Sequence, residues 1–405
     1  MKTTRSKSIL MLVENCPYPQ DVRVRNEANT LIQAGYQVIV VAQKATGQKY
    51  YQAVDNVIVY RYPAPPELPS IFGFAIEYLY SYFVALFYSI WILIRHGFDV
   101  IHAHNPPDIY VFIAIFYRLF GKKFVFDHHD LTPEIFKVRF AGAGTKFIYR
   151  VLLFMEYCSV RLADRIIATN ESYKNRQVSL HGTDPAKVTV VRNGPDLRQF
   201  QSVAPDPHLR SKAGTILGYA GTMGKQDGVD YLIRAVHHLV FNLNEKDVYC
   251  VLLGNGSEEA SLKKLVTDLQ LDDYVWFPGW VEVDTLVRYL CSADICLGPD
   301  PKNSFTDHST MIKIMEYMAL EKPIVSFDLS ETIYSAADAA LYVSGNSEAD
   351  FAGAIKQLIE DPALCRKMGQ AGSKRVQKEL AWEYSAQKLL LMYEGLFAEK
   401  APSSS

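Results

Sequence analysis

Residues 303–325 read NSFTDHSTMIKIMEYMALEKPIV: a polar opening, an apolar helical pattern, a Lys-Pro stop and a buried run. Asp307, Ser309 and Thr310 are residue types that cap helix starts, where free backbone N–H groups can face an anion. Lys313 and Glu316 stand three apart and so share one helix face, about the spacing that a cation near a phosphate and a carboxylate near a ribose require. Met311, Ile314, Met315 and Met318 suit a packing face. Lys322-Pro323 stops the helix, and Ile324-Val325-Ser326-Phe327 reads as a short buried strand. An ordinary capped core helix fits this segment alone equally well, so the surrounding pattern has to decide.

That pattern is strand–helix alternation, twice over. Apolar runs at 8–14, 37–42, 57–60, 99–103, 123–126, 165–169 and 188–191 read as strands in the first half. Runs at 216–219, 249–253, 275–277, 295–297, 323–327 and 340–343 read as strands in the second. Helical patterns such as 23–34 and 228–239 lie between them. Continuous apolar strands alternating with helices imply parallel sheets covered on both faces. The fold class expected is therefore α/β, as two Rossmann-like domains with parallel sheets facing across a cleft that holds the ligand. The polar, proline-dotted stretch after Arg192-Asn193-Gly194-Pro195 marks the boundary. We expect an acceptor-side domain at 1–195, a linker at 196–214, a second domain at 215–382, a helix at 383–398 and a disordered tail at 399–405.

A chain of 405 residues exceeds one typical core, which agrees with two domains. A formal net charge of -2 gives no electrostatic reason to expect nucleic acid as a partner. The six cysteines are scattered without a CxxC pair and read as buried free thiols of a reducing compartment. The apolar run at 9–13 is too short for a signal peptide, so the expected location is cytoplasmic. The segment 71–94 complicates this, because residues 78–94 carry no charge and Phe and Tyr crowd the region. Seventeen uncharged residues fall short of the ~20 that span a bilayer. Three readings remain: a helix buried in the first domain, a helix resting on a membrane interface, and a true span.

Chemistry-bearing residues gather at strand ends. His102-Ala103-His104-Asn105-Pro106-Pro107-Asp108 follows one strand and Asp127-His128-His129-Asp130 the next. Three readings compete: histidines satisfying local backbone, a general base or donor at a substrate, and a metal site. Asp-His-His is also a signature of the DHH phosphoesterases, but the Asp-rich and glycine-rich motifs that accompany it there are missing here. His129 and His104 are the two expected to face substrate. A third group, Gly218 to Gly228, is a glycine-rich turn that can bring backbone N–H groups to a diphosphate. Leu253-Gly254-Asn255-Gly256-Ser257 repeats the theme, and a tight turn before a helix explains it as well as ligand contact does.

In order and spacing these pieces resemble the retaining GT-B glycosyltransferases of family four, in the branch that builds bacterial surface polysaccharides. The matching residues are Gly35-Tyr36-Gln37-Val38, Asp99 to His104, His129-Asp130-Leu131, Asn193-Gly194, Gly221 with Gly228-Val229-Asp230, Leu253 to Gly256, and Glu316-Tyr317-Met318-Ala319 before Lys322-Pro323. The resemblance implies that Glu316 holds the nucleotide ribose and that His129 approaches the donor sugar. It implies diphosphate contacts at Gly221 and at the backbone of Thr310 and Met311, and a base-lining turn at Phe277, Gly279 and Trp280. No metal is implied, and the chain has no DxD.

The chain departs from the family pattern near the N-terminus, where Pro17-Tyr18-Pro19-Gln20-Asp21 replaces paired glycines, and at three positions of the second half. His308 stands where the first Glu of its EX7E motif belongs, Thr222 where an Arg belongs, and Asp227 where a Lys belongs. Those cations neutralise the leaving diphosphate, a large electrostatic contribution, so Lys225 or Lys313 would have to replace them. On the acceptor side the candidates are Asp21, Arg23, His104 and Asn105, with Arg23 either reaching phosphate or lying on a solvated helix face. The function expected is transfer of a sugar from a UDP- or GDP-linked donor to a glycan or lipid-linked acceptor, with retention and no cofactor. Peripheral membrane contact through 71–94 would suit a lipid-linked acceptor. The rival readings are a GT-B-type nucleotide-sugar epimerase and a catalytically degenerate sugar-binding scaffold.

Overall fold

In the computed structural model, which describes residues 6–65, 70–140 and 145–398, each expected strand appears within a residue or three of its reading. The expected tail at 399–405 lies outside the described residues. Two compact units emerge: one runs to Arg192 and resumes at Ser385, and the other is 193–384. The first holds β1 (Ser8–Leu12), β2 (Gln37–Lys44), β3 (Tyr51–Val54), β4 (Val57–Pro63), β5 (Val100–His104), β6 (Lys123–His128), β7 (Arg165–Ala168) and β8 (Val188–Val190). Their order across the sheet is β3-β4-β2-β1-β5-β6-β7-β8. Only β3, which pairs antiparallel with β4, departs from parallel pairing. It is also the strand the sequence pattern did not announce, because it is largely exposed and lacks an apolar run. Asp55 and Asn56, both at positive φ, close its two-residue hairpin.

The second unit holds β9 (Thr215–Ala220), β10 (Val248–Leu253), β11 (Val275–Gly279), β12 (Ile295–Gly298), β13 (Ile324–Phe327) and β14 (Ala340–Val343). They form one parallel sheet in the order β11-β10-β9-β12-β13-β14. Helices cover both sheets, with apolar stripes turned inward. Leu232, Ile233 and Val236 seal one face of the second sheet, and Ile314, Met315 and Met318 belong to the core on the other. The stretch 196–214 read as a linker is packed rather than free: Phe200 and Leu209 are buried in the second unit's core.

Two helices correct the expectations. The helix expected to open at Asp307, Ser309 or Thr310 runs Ile312–Ala319, with Met311 at its N-cap position and no side-chain cap. The polar residues before it form a 3₁₀ turn at Thr306–His308, and Asp307 accepts from the backbone N–H (2.8 Å) and hydroxyl (3.1 Å) of Ser330 instead. The helix Ile71–Arg95 is not the buried core helix that was one of three readings. It buries a narrow stripe of Gly73, Ser81, Ala85, Ser89 and Ile92. At 25 residues it is long and apolar enough to cross a membrane by length and composition. The final helix, Trp382–Ala398, places Leu389, Tyr393 and Leu396 in the core, where Tyr36 meets both Tyr393 and Phe397 at 5.8 Å between ring centroids.

One buried charge cluster ties the helices of the first unit together. Glu156, on the helix Thr145–Leu162, is fully buried. It meets His181 Nε2 at 2.7 Å and accepts from Arg176 Nε at 3.1 Å. Burial pushes its carboxyl up, but the hydrogen bond to His181 and the nearby His128 and Arg176 outweigh that and bring it down to about 2. A carboxyl lowered in the folded state stabilises the fold above its unfolded value, and that contribution fades as pH falls through the folded value. Acid unfolding is therefore expected to show a stability loss between about pH 4.5 and 2 to which Glu156 contributes about 3 kcal/mol. In Glu156→Gln, unfolding curves collected across that range should have a visibly shallower pH dependence.

Candidate functional site

In the second unit the chain leaves the sheet in one direction from β9 through β10 and in the other through β12, and open α/β sheets bind ligands beyond the strand ends at such a reversal. Gly221 follows β9 there, and Asp300 follows β12. Lys313 reaches both from the helix Ile312–Ala319. Its Nζ donates to Asp300 Oδ1 (3.0 Å) and Oδ2 (3.2 Å) and to the Tyr219 hydroxyl (3.4 Å). Burial would lower this ammonium's pKa, but Asp300 outweighs it and raises the pKa above the ordinary value, so Lys313 is charged. A Cβ on Gly221 would stand 2.8 Å from the Tyr219 hydroxyl and 3.2 Å from Lys313 Nζ, so the glycine is what lets this loop lie against the cation.

The neighbouring turns brace that loop. Gly254, at φ +123°, faces the Gly221 carbonyl so closely that a Cβ would stand 2.0 Å from its oxygen. Gly221 N–H donates to Leu253 O (3.0 Å) and Gly254 N–H to Gly279 O (3.0 Å). Three glycine-bearing strand ends, β9, β10 and β11, therefore lie side by side. Gly279 is at positive φ, and Trp280 beside it is exposed. Glu316, one turn after Lys313, is half-buried; burial pushes its carboxyl up to about 7 although Lys313 pulls the other way. A carboxyl in that state can donate or accept at a hydroxyl.

The remaining donor-side candidates are more loosely placed. Thr222 and Lys225 are exposed on the glycine loop, and the Thr222 carbonyl accepts from the Tyr219 hydroxyl (2.7 Å). Asp227 shapes the loop, its Oδ2 accepting from Gly224 N–H (2.9 Å), which gives this carboxylate a structural use. Thr310 and Met311 are half-buried at the entrance to the helix. His308 is exposed on the 3₁₀ turn.

In the first unit the expected residues converge on Asp127, a residue whose role no local pattern in the sequence announces. Its Oδ2 accepts from Arg23 Nε (2.8 Å) and meets His104 Nδ1 (2.9 Å) and His129 Nδ1 (3.2 Å), while Oδ1 accepts from Arg23 Nη2 (2.7 Å). Burial alone would raise this carboxyl; Arg23 and His129 outweigh burial and hold it well below the usual range. Burial would lower His129, but Asp127 outweighs it and raises its pKa. With Nδ1 on Asp127, Nε2 is the ring nitrogen of His129 left for other contacts, on a side chain that is only 9% exposed.

The other acceptor-side candidates are interior. Arg23 is neither on a solvated face nor aimed at a phosphate: it is buried, pairs with Asp127 and Glu27 (3.1 Å), and donates to Val191 O (2.9 Å). A buried guanidinium needs such partners. Asn105 is buried as a clamp, its Oδ1 accepting from the N–H groups of His129 (2.7 Å) and Asp130 (3.1 Å). Asp21 is the N-cap of the helix Val22–Gln33, accepting from Val24 N–H (3.0 Å). His104 is buried against Asp127 and stacks on His102 at 4.3 Å between centroids, and His102 Nδ1 meets the Tyr393 hydroxyl at 2.9 Å. His128 is a core residue beside Gln177, brought down to about 4 by burial.

Glu27, His102, His104 and Asp127 offer ligand atoms within 4.8 Å of one another, a set chemically able to hold a transition metal. Arg23 already supplies these carboxylates with positive charge at 2.7 and 3.1 Å. Burial and Asp127 also push the Glu27 carboxyl up to about 8, against the pull of Arg23, which favours its neutral form.

Comparison with known proteins finds glycosyltransferase relatives for both units. Residues 20–199 match the description "Glycosyltransferase Family 4", and residues 214–361 match "Glycosyl transferases group 1". The chain is 28% identical over 313 residues to D-inositol 3-phosphate glycosyltransferase of Pseudarthrobacter chlorophenolicus, covering 74% of this chain and 71% of that one. In fold it is similar to sucrose-phosphate synthase from Thermosynechococcus elongatus, with a TM-score of 0.79 at 20% identity over 97% of this chain and 100% of that one. It is also similar to the Anabaena protein HepE, solved in complex with UDP-glucose, with a TM-score of 0.70 at 15% identity over 96% of this chain and 99% of that one.

The Asp127 arrangement makes a direct prediction. In Asp127→Asn the His129 ring should titrate at lower pH than in the wild type, read from its ring proton shifts by NMR. Stability should fall by about 3 kcal/mol, because Arg23 loses its bidentate partner in the interior. An unmoved His129 titration would show that Asp127 does not tune it.

Proposed function

Because this chain belongs to the family-four GT-B glycosyltransferases, we propose that it moves a sugar from a UDP- or GDP-linked donor to a glycan or lipid-linked acceptor in polysaccharide biosynthesis. In this reading transfer proceeds with retention, without a metal, on the cytoplasmic side. The observation that carries it is the charged Lys313 held against Gly221 at the sheet reversal.

A leaving nucleoside diphosphate gathers negative charge as the glycosidic bond breaks, and a preorganised cation with backbone N–H groups lowers that barrier. Thr222 and Asp227 supply no such cation, so Lys313 takes the role, with Lys225 on the exposed part of the loop as its second. The backbone at Thr310 and Met311 completes the diphosphate contacts. Glu316, raised to about 7, is assigned to the ribose hydroxyls, and the turn at Gly279 and Trp280 to the base. His129, oriented through Nδ1 by Asp127, is assigned to the donor sugar, and His308 to the place of the first EX7E carboxylate. HepE was solved with UDP-glucose, which supports a nucleotide-sugar donor of this class. The helix 71–95 would meet the membrane that carries a lipid-linked acceptor.

A panel of UDP- and GDP-sugars, screened by thermal shift with EDTA present, tests this. A ligand at a hundred times its Kd stabilises the folded state by about 2.7 kcal/mol, enough to move the melting temperature by a few degrees. One donor is expected to stabilise the wild type, and Glu316→Ala should lose most of that shift. Stabilisation only after adding Mn or Zn would contradict metal independence, and a donor that binds but never turns over would favour the scaffold reading.

A further inference from the structure

Three helices of the first unit each carry an exposed apolar stripe at helical spacing. On the helix Ile71–Arg95 it is Leu79, Phe83, Phe87, Trp91 and Ile94. On Val111–Arg118 and the turn after it, the stripe is Phe112, Phe116, Leu119 and Phe120. On Thr145–Leu162 it is Phe147, Val151, Phe154 and Tyr157. Phe83, Phe87, Phe120 and Phe147 are 63, 64, 62 and 72% exposed, far beyond what scattered surface residues explain.

These helices form one layer. They connect β4 to β5, β5 to β6 and β6 to β7, all advancing the same way across the sheet, and right-handed crossovers then place all three on the same face. Ser89 on the first meets Tyr117 on the second at 3.1 Å between hydroxyls. Ser159 on the third donates to Asp108 O (3.1 Å), in the turn that leads into the second. A depression lined by Tyr80, Phe83, Phe87 and Tyr88 opens on the same layer.

The charges on this layer identify what covers it. Every exposed charged residue on the three helices is basic: Arg95, Arg118, Lys146, Arg150 and Arg161. Arg150 lies three residues after Phe147 and four before Phe154, within that stripe. A second copy of the same face would set cation against cation. Aromatic residues interleaved with cations are what an anionic lipid surface takes, rings at the headgroup boundary and cations on phosphates.

We infer that this three-helix face docks on an anionic bilayer, lying along it rather than crossing it. The small-residue stripe Gly73, Ser81, Ala85, Ser89 and Ile92 keeps the first helix fastened to its own domain. The inference deepens the lipid-linked acceptor reading and rests on it for its purpose. Binding is measured without donor or acceptor, so its failure leaves sugar transfer untouched.

The test is co-sedimentation of the full chain with vesicles of phosphatidylcholine alone and with phosphatidylglycerol added. The wild type should bind the anionic vesicles at least tenfold more tightly, and salt should weaken the binding. Phe83→Ser with Phe87→Ser, and separately Lys146→Glu with Arg150→Glu, should each reduce binding at least tenfold. These residues are exposed, so the fold and the donor-induced thermal shift should be retained. Absence of binding to either vesicle, or binding unaffected by both pairs, would overturn the inference. Self-association abolished by the aromatic pair, without vesicle binding, would assign the face to a second copy instead.

Discussion

Lys313 is nine-tenths buried and keeps its charge because Asp300 lies 3.0 Å away. That pair sets much of the second unit's site. The lysine comes from a helix whose other face is core, the aspartate from the end of β12, and the Tyr219 hydroxyl from β9. Pulling one ammonium against two strands on either side of the sheet reversal fixes where the helix sits. It also requires the Gly221 loop to have no side chain there, and Gly254 and Gly279 to have backbones that pack beneath it. A buried cation held this way is costly to build, and in the function proposed it serves a diphosphate anion.

The first unit solves the same problem with the signs reversed. Asp127 is a fully buried carboxylate, kept ionised by the Arg23 fork, and its spare hydrogen-bonding capacity goes to two histidines. His104 is sealed in this interior network, whereas the His129 side chain is 9% exposed. Asn105 then fastens the backbone of His129 and Asp130, so the orientation of the ring is set from both main chain and side chain.

The strands were legible because parallel, doubly covered strands are continuous apolar runs, and Tyr51–Val54 escaped because an exposed edge strand has no such run. Lys313 and Glu316 were legible as a pair because helical spacing is local. Their surroundings were not: nothing in the sequence says that Arg23 reaches Asp127, 104 positions away, or that Lys313 chooses Asp300. The cap at Asp307 misled because a good capping residue caps whichever helix start it can reach, here Ser330. The helix 71–95 is an amphipathic case that composition cannot decide, since Ser81, Ala85 and Ser89 face the protein while Phe83, Phe87 and Trp91 face outward.

The central claim is that Lys313 is the cation that receives the diphosphate. Titration calorimetry of nucleoside against nucleoside diphosphate, on wild type and Lys313→Met, tests it most directly. The account predicts that the wild type prefers the diphosphate by a wide margin and that Lys313→Met loses at least tenfold of that preference while nucleoside binding is retained. An unchanged preference would mean that Lys313 serves only to neutralise Asp300.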